Sequence, residues 1–133
     1  EIKRWGEFLN IKINIKPKFF PPKDPHLPAK FIIAANLLGT KVVFGYELSK
    51  QLWNEENDIS DEKIIETVSN KFKINFKELA LLARSERVSK IYVDNTEEAV
   101  HKNVFGAPTY IFNNELFWGQ DRLEFLERAL KNA

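Results

Sequence analysis

The sequence predicts an α/β chain, and three observations carry that prediction. Between residues 29 and 86 apolar residues recur at helical spacing; after Gly106 two short runs of aromatic and β-branched residues flank an Asn113-Asn114 pair; and a leucine-spaced segment closes the sequence. A helical middle and a strand, turn, strand, helix tail follow. With 133 residues, 44% of them hydrophobic and 29% charged, the prior is one ordinary globular domain.

Taken in order, the chain opens at Glu1 inside a helical pattern. It has no initiator Met, no signal-peptide pattern and no Met at all, so the expectation is that upstream residues or Met positions are missing from it. Ile11, Ile13 and Ile15 alternate with Lys12, Asn14 and Lys16, the period of a half-buried strand, and Pro17 closes it. Pro21, Pro22, Pro25 and Pro28 then predict a rigid irregular loop as far as residue 28, in which the Phe19-Phe20 pair must find cover. Phe31, Ala35 and Leu38 share a helical face before Gly39 interrupts; Phe44, Leu48 and Leu52 form a second stripe. Ser60 is placed to cap a third helix whose buried side is Ile64, Ile65, Val68 and Phe72, with Asp61 and Glu62 favourably at the positive end of its dipole. Asn75 with Glu78 reads as a capping box for a fourth.

A further helix is predicted over residues 88–102, with Val88, Tyr92, Asn95 and Ala99 on one face. Asn95 is the polar member of that face and is expected to be a satisfied buried amide, a site role being the alternative. In the tail, residues 107–112 and 115–118 form a hairpin around Asn113-Asn114, and Gly119 ends it. A last helix begins near Asp121, its carboxylate a capping candidate, with Leu123, Leu126 and Leu130 facing inward.

Composition excludes several functions. Twenty Lys and Arg against nineteen Asp and Glu give a net charge of +1, which does not suggest a polyanionic partner, and no nucleic acid is expected. The seven basic residues among residues 1–30 are scattered among apolar ones, as on a solvated face. The longest apolar run, residues 31–38, contains Asn36 and falls far short of the roughly 18–20 residues of a membrane span, so no membrane is expected. With no Cys there is neither a disulfide nor a CxxC redox pair in these residues, and two His are too few for a His-built metal site, so no metal is expected. Without a targeting pattern the expected location is cytoplasmic.

The chemistry lies in the tail. Pro108 at the head of a strand donates no hydrogen bond, so neighbouring backbone groups can be left to face a ligand. The run Val104-Phe105-Gly106-Ala107-Pro108-Thr109, followed by Leu116-Phe117-Trp118-Gly119-Gln120-Asp121-Arg122-Leu123, resembles the paired signature of the 2-hydroxychromene-2-carboxylate isomerases, relatives of kappa-class glutathione transferases. Upstream, Trp53 with Asp58 and Ile59, and Asn95-Thr96-Glu97-Glu98-Ala99, are more loosely similar to that family's helical insertion and the helix returning from it.

The resemblance implies a thioredoxin-like fold with an inserted all-helical domain, residues 1–28 and 88–133 belonging to the first and 29–87 to the second, and the first strand and helix lacking. It implies that Pro108 is cis, that the backbone of Ala107 holds the cysteinyl part of glutathione, and that Gln120 and Asp121 receive its γ-glutamyl end. Free N–H groups at a helix start favour the α-carboxylate, and Asp121 can accept from the ammonium; a cap is the alternative role for Asp121. Gln120 departs from the smaller Asn or Ser of the family pattern. Trp118 and Phe20 are candidate surfaces for an aromatic substrate, core packing being the alternative for each. The family's catalytic Ser or Cys has no counterpart here and is expected upstream of Glu1.

The function so implied is a glutathione-dependent isomerase acting on an aromatic or conjugated acid by reversible thiolate addition, in aromatic-compound degradation, with glutathione as cofactor and a homodimer as the assembly. Alternatives sharing the fold are a kappa-type glutathione transferase and a DsbA-like thiol oxidoreductase, which the residue at the missing helix start would separate. A non-catalytic thioredoxin-like binding module is the alternative of another class.

Overall fold

In the computed structural model, residues 1–40 and 42–133 are described. By internal contacts the chain divides into two units, Glu1–Tyr92 and Val93–Ala133. The first begins with α1 (Ile2–Phe8) and continues through α2 (His26–Leu37), α3 (Val43–Trp53), α4 (Glu62–Lys71) and α5 (Phe76–Ala83) into α6 (Glu86–His101), which carries the boundary. The second holds the rest of α6, the strands β1 (Thr109–Phe112) and β2 (Glu115–Trp118), a 3-10 turn Gln120–Arg122, and α7 (Leu123–Lys131).

The helical stripes read from the sequence become one core. Phe31, Ala34 and Ala35 of α2, Phe44 and Leu48 of α3, Ile65 and Val68 of α4, Leu79 of α5 and Val88 of α6 are buried together. Phe31 stacks on Phe76 at 6.0 Å between ring centroids, and Phe44 meets Phe72 at 5.7 Å. Each fully buried Phe, Leu, Ile or Val contributes about 1.5–3 kcal/mol over its exposed state, whereas helix propensities differ by tenths. Packing between helices, not propensity, therefore holds this unit.

The ends of the helices differ from the sequence expectation in instructive ways. Asn75 caps α5 as expected, accepting from Glu78 N at 3.2 Å. Asp61, not Ser60, caps α4, accepting from Lys63 N at 2.9 Å. Ser60 instead fastens the preceding loop, its Oγ accepting from Asp24 N at 3.1 Å and lying 3.3 Å from Asp24 O as donor. Helix α2 starts at His26, so Pro28 lies inside it. A proline is tolerated in the first turn because the N–H it lacks would have had no partner there.

No strand forms at Ile11, Ile13 and Ile15; Ile11 and Ile15 are 41% and 53% exposed. Alternation marks a strand only if a neighbour supplies a ladder, and among the described residues the one sheet consists of β1 and β2. The segment is tied down otherwise. Asn14 N donates to Trp53 O at 2.8 Å, the Asn14 side-chain amide donates to Glu56, and Lys18 N donates to the same carboxylate at 3.3 Å.

In the second unit β1 and β2 pair antiparallel, Phe112 opposite Glu115 and Thr109 opposite Trp118. Asn113 and Asn114 take φ of 49° and 64°, the left-handed pair that a two-residue hairpin turn needs and that Asn tolerates. Phe117 is the buried member of the hairpin. Helix α7 contacts both strands, yet of its three leucines only Leu126 is half-buried, Leu123 and Leu130 being 46% and 53% exposed. Asn95 is exposed as well, so the expected buried amide is not there. Among the described residues no helix is long and apolar enough to cross a membrane.

Candidate functional site

The turn into the hairpin is built by close approach. A Cβ on Gly106 would stand 2.6 Å from Trp118 Nε1, so only glycine lets the indole lie against the backbone there. The Thr109 hydroxyl donates to Gly106 O at 2.6 Å and fixes the chain two residues before Pro108 against the first residue of β1. The Ala107–Pro108 peptide bond is cis, as is Phe20–Pro21. Pro108 O accepts from Gly119 N at 2.9 Å, one step beyond the ladder, which ties the proline turn to the turn after β2. Ala107 and Pro108 are themselves exposed.

That second turn depends on Gly119. Its φ of 106° and ψ of 153° lie in a region essentially reserved for glycine, and a Cβ there would meet Asp121 Oδ1 at 2.5 Å. The Asp121 carboxylate thus folds back over Gly119. It pairs with Arg122 Nη1 at 3.2 Å, both side chains more than half exposed. Asp121 does not cap α7: the residue at the cap position is Arg122, with no side-chain cap bond, and Asp121 belongs to the preceding 3-10 turn. An Asp before a leucine-spaced run is the usual cap signal, but the short 3-10 turn delays the helix by one step.

The structure therefore brings Ala107, Pro108, Trp118, Gln120 and Asp121 onto two turns joined by the Gly119 to Pro108 hydrogen bond. Gln120 is exposed. Phe20 belongs to the first unit, where its ring lies 5.0 Å from Trp53 and is 56% exposed. Phe105, not singled out in the sequence, is 70% exposed and meets Trp118 edge-on at 4.9 Å. The adjacency of an aromatic to the Gly-x-Pro run was the signal that could have flagged it.

The site has three chemical features. It offers exposed backbone beside a residue without an N–H, an anionic side chain open to solvent, and a helical start whose first N–H groups lack intrahelical partners.

Comparison with known proteins gives a consistent outcome. The DSBA-like thioredoxin domain model matches residues 1–131. A 2-hydroxychromene-2-carboxylate isomerase of Sphingobium xenophagum is 24% identical over 130 residues, 98% of this chain and 65% of that protein. One of Pseudomonas putida is 30% identical over 79 residues, 59% of this chain and 39% of that protein. The solved structure of a selenomethionine 2-hydroxychromene-2-carboxylate isomerase superposes with a TM-score of 0.78 at 22% identity, covering 98% of this chain and 63% of that one. The chain spans just under two thirds of the length of these longer matches. The fold is the DsbA-like thioredoxin fold, in which the helices and the small sheet described above find their counterparts.

Proposed function

The chain belongs to the DSBA-like thioredoxin domain family, and from that premise we propose that it works as a glutathione-dependent isomerase of the 2-hydroxychromene-2-carboxylate type on an aromatic or conjugated acid. The observation that carries this reading is the pair of turns at Ala107-Pro108 and Gly119-Gln120-Asp121, joined by one hydrogen bond, in a chain whose relatives bear that enzyme's name.

In this reading the Ala107 backbone holds the cysteinyl part of glutathione, and Asp121 accepts from the ammonium of its γ-glutamyl end. The N–H groups starting the turn at Gln120 face the α-carboxylate, where the positive end of helical structure favours an anion. Bound glutathione would supply a thiolate that adds reversibly to the conjugated acid, permits rotation about the former double bond, and leaves. The work of the residues present is to hold and orient, with Trp118 as a flat surface for an aromatic ring. No Ser of this chain is given the role of lowering the thiol pKa.

The test is an isomerisation assay of the full chain on 2-hydroxychromene-2-carboxylate, with and without glutathione. Turnover that requires glutathione supports the reading. Absence of turnover, or turnover equally fast without glutathione, would overturn it.

A further inference from the structure

We infer that Lys30 and Ser89 form a binding site for a small organic carboxylate between α2 and α6, within the first unit. Lys30 Nζ donates to Ser89 Oγ at 3.2 Å, and the pair is part-buried. Beside it, His26 Nδ1 lies 2.8 Å from the Tyr92 hydroxyl, the two rings meeting edge-on at 5.7 Å between centroids. His26 and Lys30 are four apart on α2, and Ser89 and Tyr92 three apart on α6, so each helix presents both of its side chains on one face. The crossed order of the pairs, 26 with 92 and 30 with 89, makes the two helices antiparallel along a ladder of two rungs.

The Lys30 rung is electrically incomplete. A lysine ammonium has three donors and a serine hydroxyl one. Lys30 uses one on Ser89; among the described residues its other two and the Ser89 hydroxyl proton meet no acceptor, and no carboxylate pairs with the ammonium. Exposure sets Lys30 apart from the other lysines. Of those described, only Lys30 and Lys50 are half-buried, and Lys50 lies against Glu47. The other half-buried ammonium faces only a hydroxyl, a position short of an anion. Asp24 does not supply it, because its Oδ1 accepts from His26 N and Leu27 N at 2.9 and 3.2 Å, and α2 itself carries no acidic residue.

Charge and shape select a carboxylate. One ammonium among neutral donors is matched by a single negative charge, whereas a phosphate dianion would leave a surplus charge half-buried. Donor atoms 3.2 Å apart can each meet one oxygen of a planar carboxylate, the ammonium through the stronger, charge-assisted bond. His26 and Tyr92, about one helical turn along, hold the helices at this spacing and give the body of the ligand an aromatic wall. The inference does not depend on the proposed isomerase activity.

An NMR titration of the isotope-labelled full chain with sodium benzoate tests it, with glutathione absent and ionic strength held constant by sodium chloride. Saturable shifts centred on the amides of Lys30 and Ser89 and on the His26 ring are expected. Lys30→Met should weaken binding about tenfold or more, Lys30→Arg should largely keep it, and Ser89→Ala should weaken it about threefold to tenfold. Phosphate in place of benzoate should bind at least about tenfold more weakly. Amide dispersion shows whether each variant is folded; if Lys30→Met is not, Ser89→Ala decides. The absence of saturable shifts at these residues, benzoate binding unchanged in folded Lys30→Met or Ser89→Ala, or phosphate binding as tight as that of benzoate would each overturn the proposal.

Discussion

Asp121 is the residue on which structure and proposed function meet most sharply. Because it does not cap α7 and lies exposed in an ion pair with Arg122, its carboxylate adds little to stability; exposed pairs contribute about 0–1 kcal/mol. If it receives the ammonium of glutathione, Asp121→Asn should weaken glutathione binding by about 1–3 kcal/mol, the range for a hydrogen bond between charged partners, with the Tm of the unliganded chain nearly unchanged. Calorimetric titration beside a thermal melt separates the two effects. Gly119 makes a contrasting case. Its φ of 106° with ψ of 153°, and the Asp121 oxygen 2.5 Å from where a Cβ would stand, mean that Gly119→Ala must both strain the turn and push the carboxylate aside. Stability should fall by about 1–3 kcal/mol, and glutathione affinity should fall with it. A Gly119→Ala protein with wild-type stability and affinity would show that the turn is not held as described.

Between elements, the ion pairs that join α3 to α4 give the fold a defined pH dependence. Glu47 on α3 takes a hydrogen bond from Lys71 at the end of α4 at 3.0 Å, with Lys50 at 3.5 Å. The Lys71 hydrogen bond holds the Glu47 carboxyl below its ordinary value of 4.5, against an opposing effect of burial. A carboxylate whose folded pKa is depressed stabilises the fold above its unfolded pKa, and that contribution is lost as pH falls through the folded value. Unfolding stability should therefore decline from about pH 4.5 downward, and Lys71→Ala should flatten part of that decline, as denaturant melts from pH 7 to pH 3 would show. The same scale shows what the sequence made legible. Stripes such as Phe44, Leu48 and Leu52, the Asn75 cap and the Asn113-Asn114 turn are local patterns whose physics is complete within a few residues, and each folds as read. The strand expected at Ile11, Ile13 and Ile15 needed a neighbour to pair with, and the cap expected at Ser60 needed knowledge that its hydroxyl was engaged with Asp24. Local pattern is silent about both.

Over the whole molecule, the candidate site rests on a different kind of signal than the helices do. Hydrophobic periodicity says nothing of Ala107, Pro108, Gln120 or Asp121; the paired motifs around Gly106-Ala107-Pro108 and Gly119-Gln120-Asp121 do, and the fold sets them on turns tied by Gly119 N to Pro108 O. What escaped the sequence was the part fixed by proximity across the hairpin: Phe105 against Trp118, and the indole filling the space that Gly106 leaves. The central claim is that these joined turns receive glutathione. Isothermal titration calorimetry of the full chain with glutathione tests it most directly: the account predicts saturable binding that Asp121→Asn weakens, and the absence of saturable binding by the folded wild-type protein would contradict it.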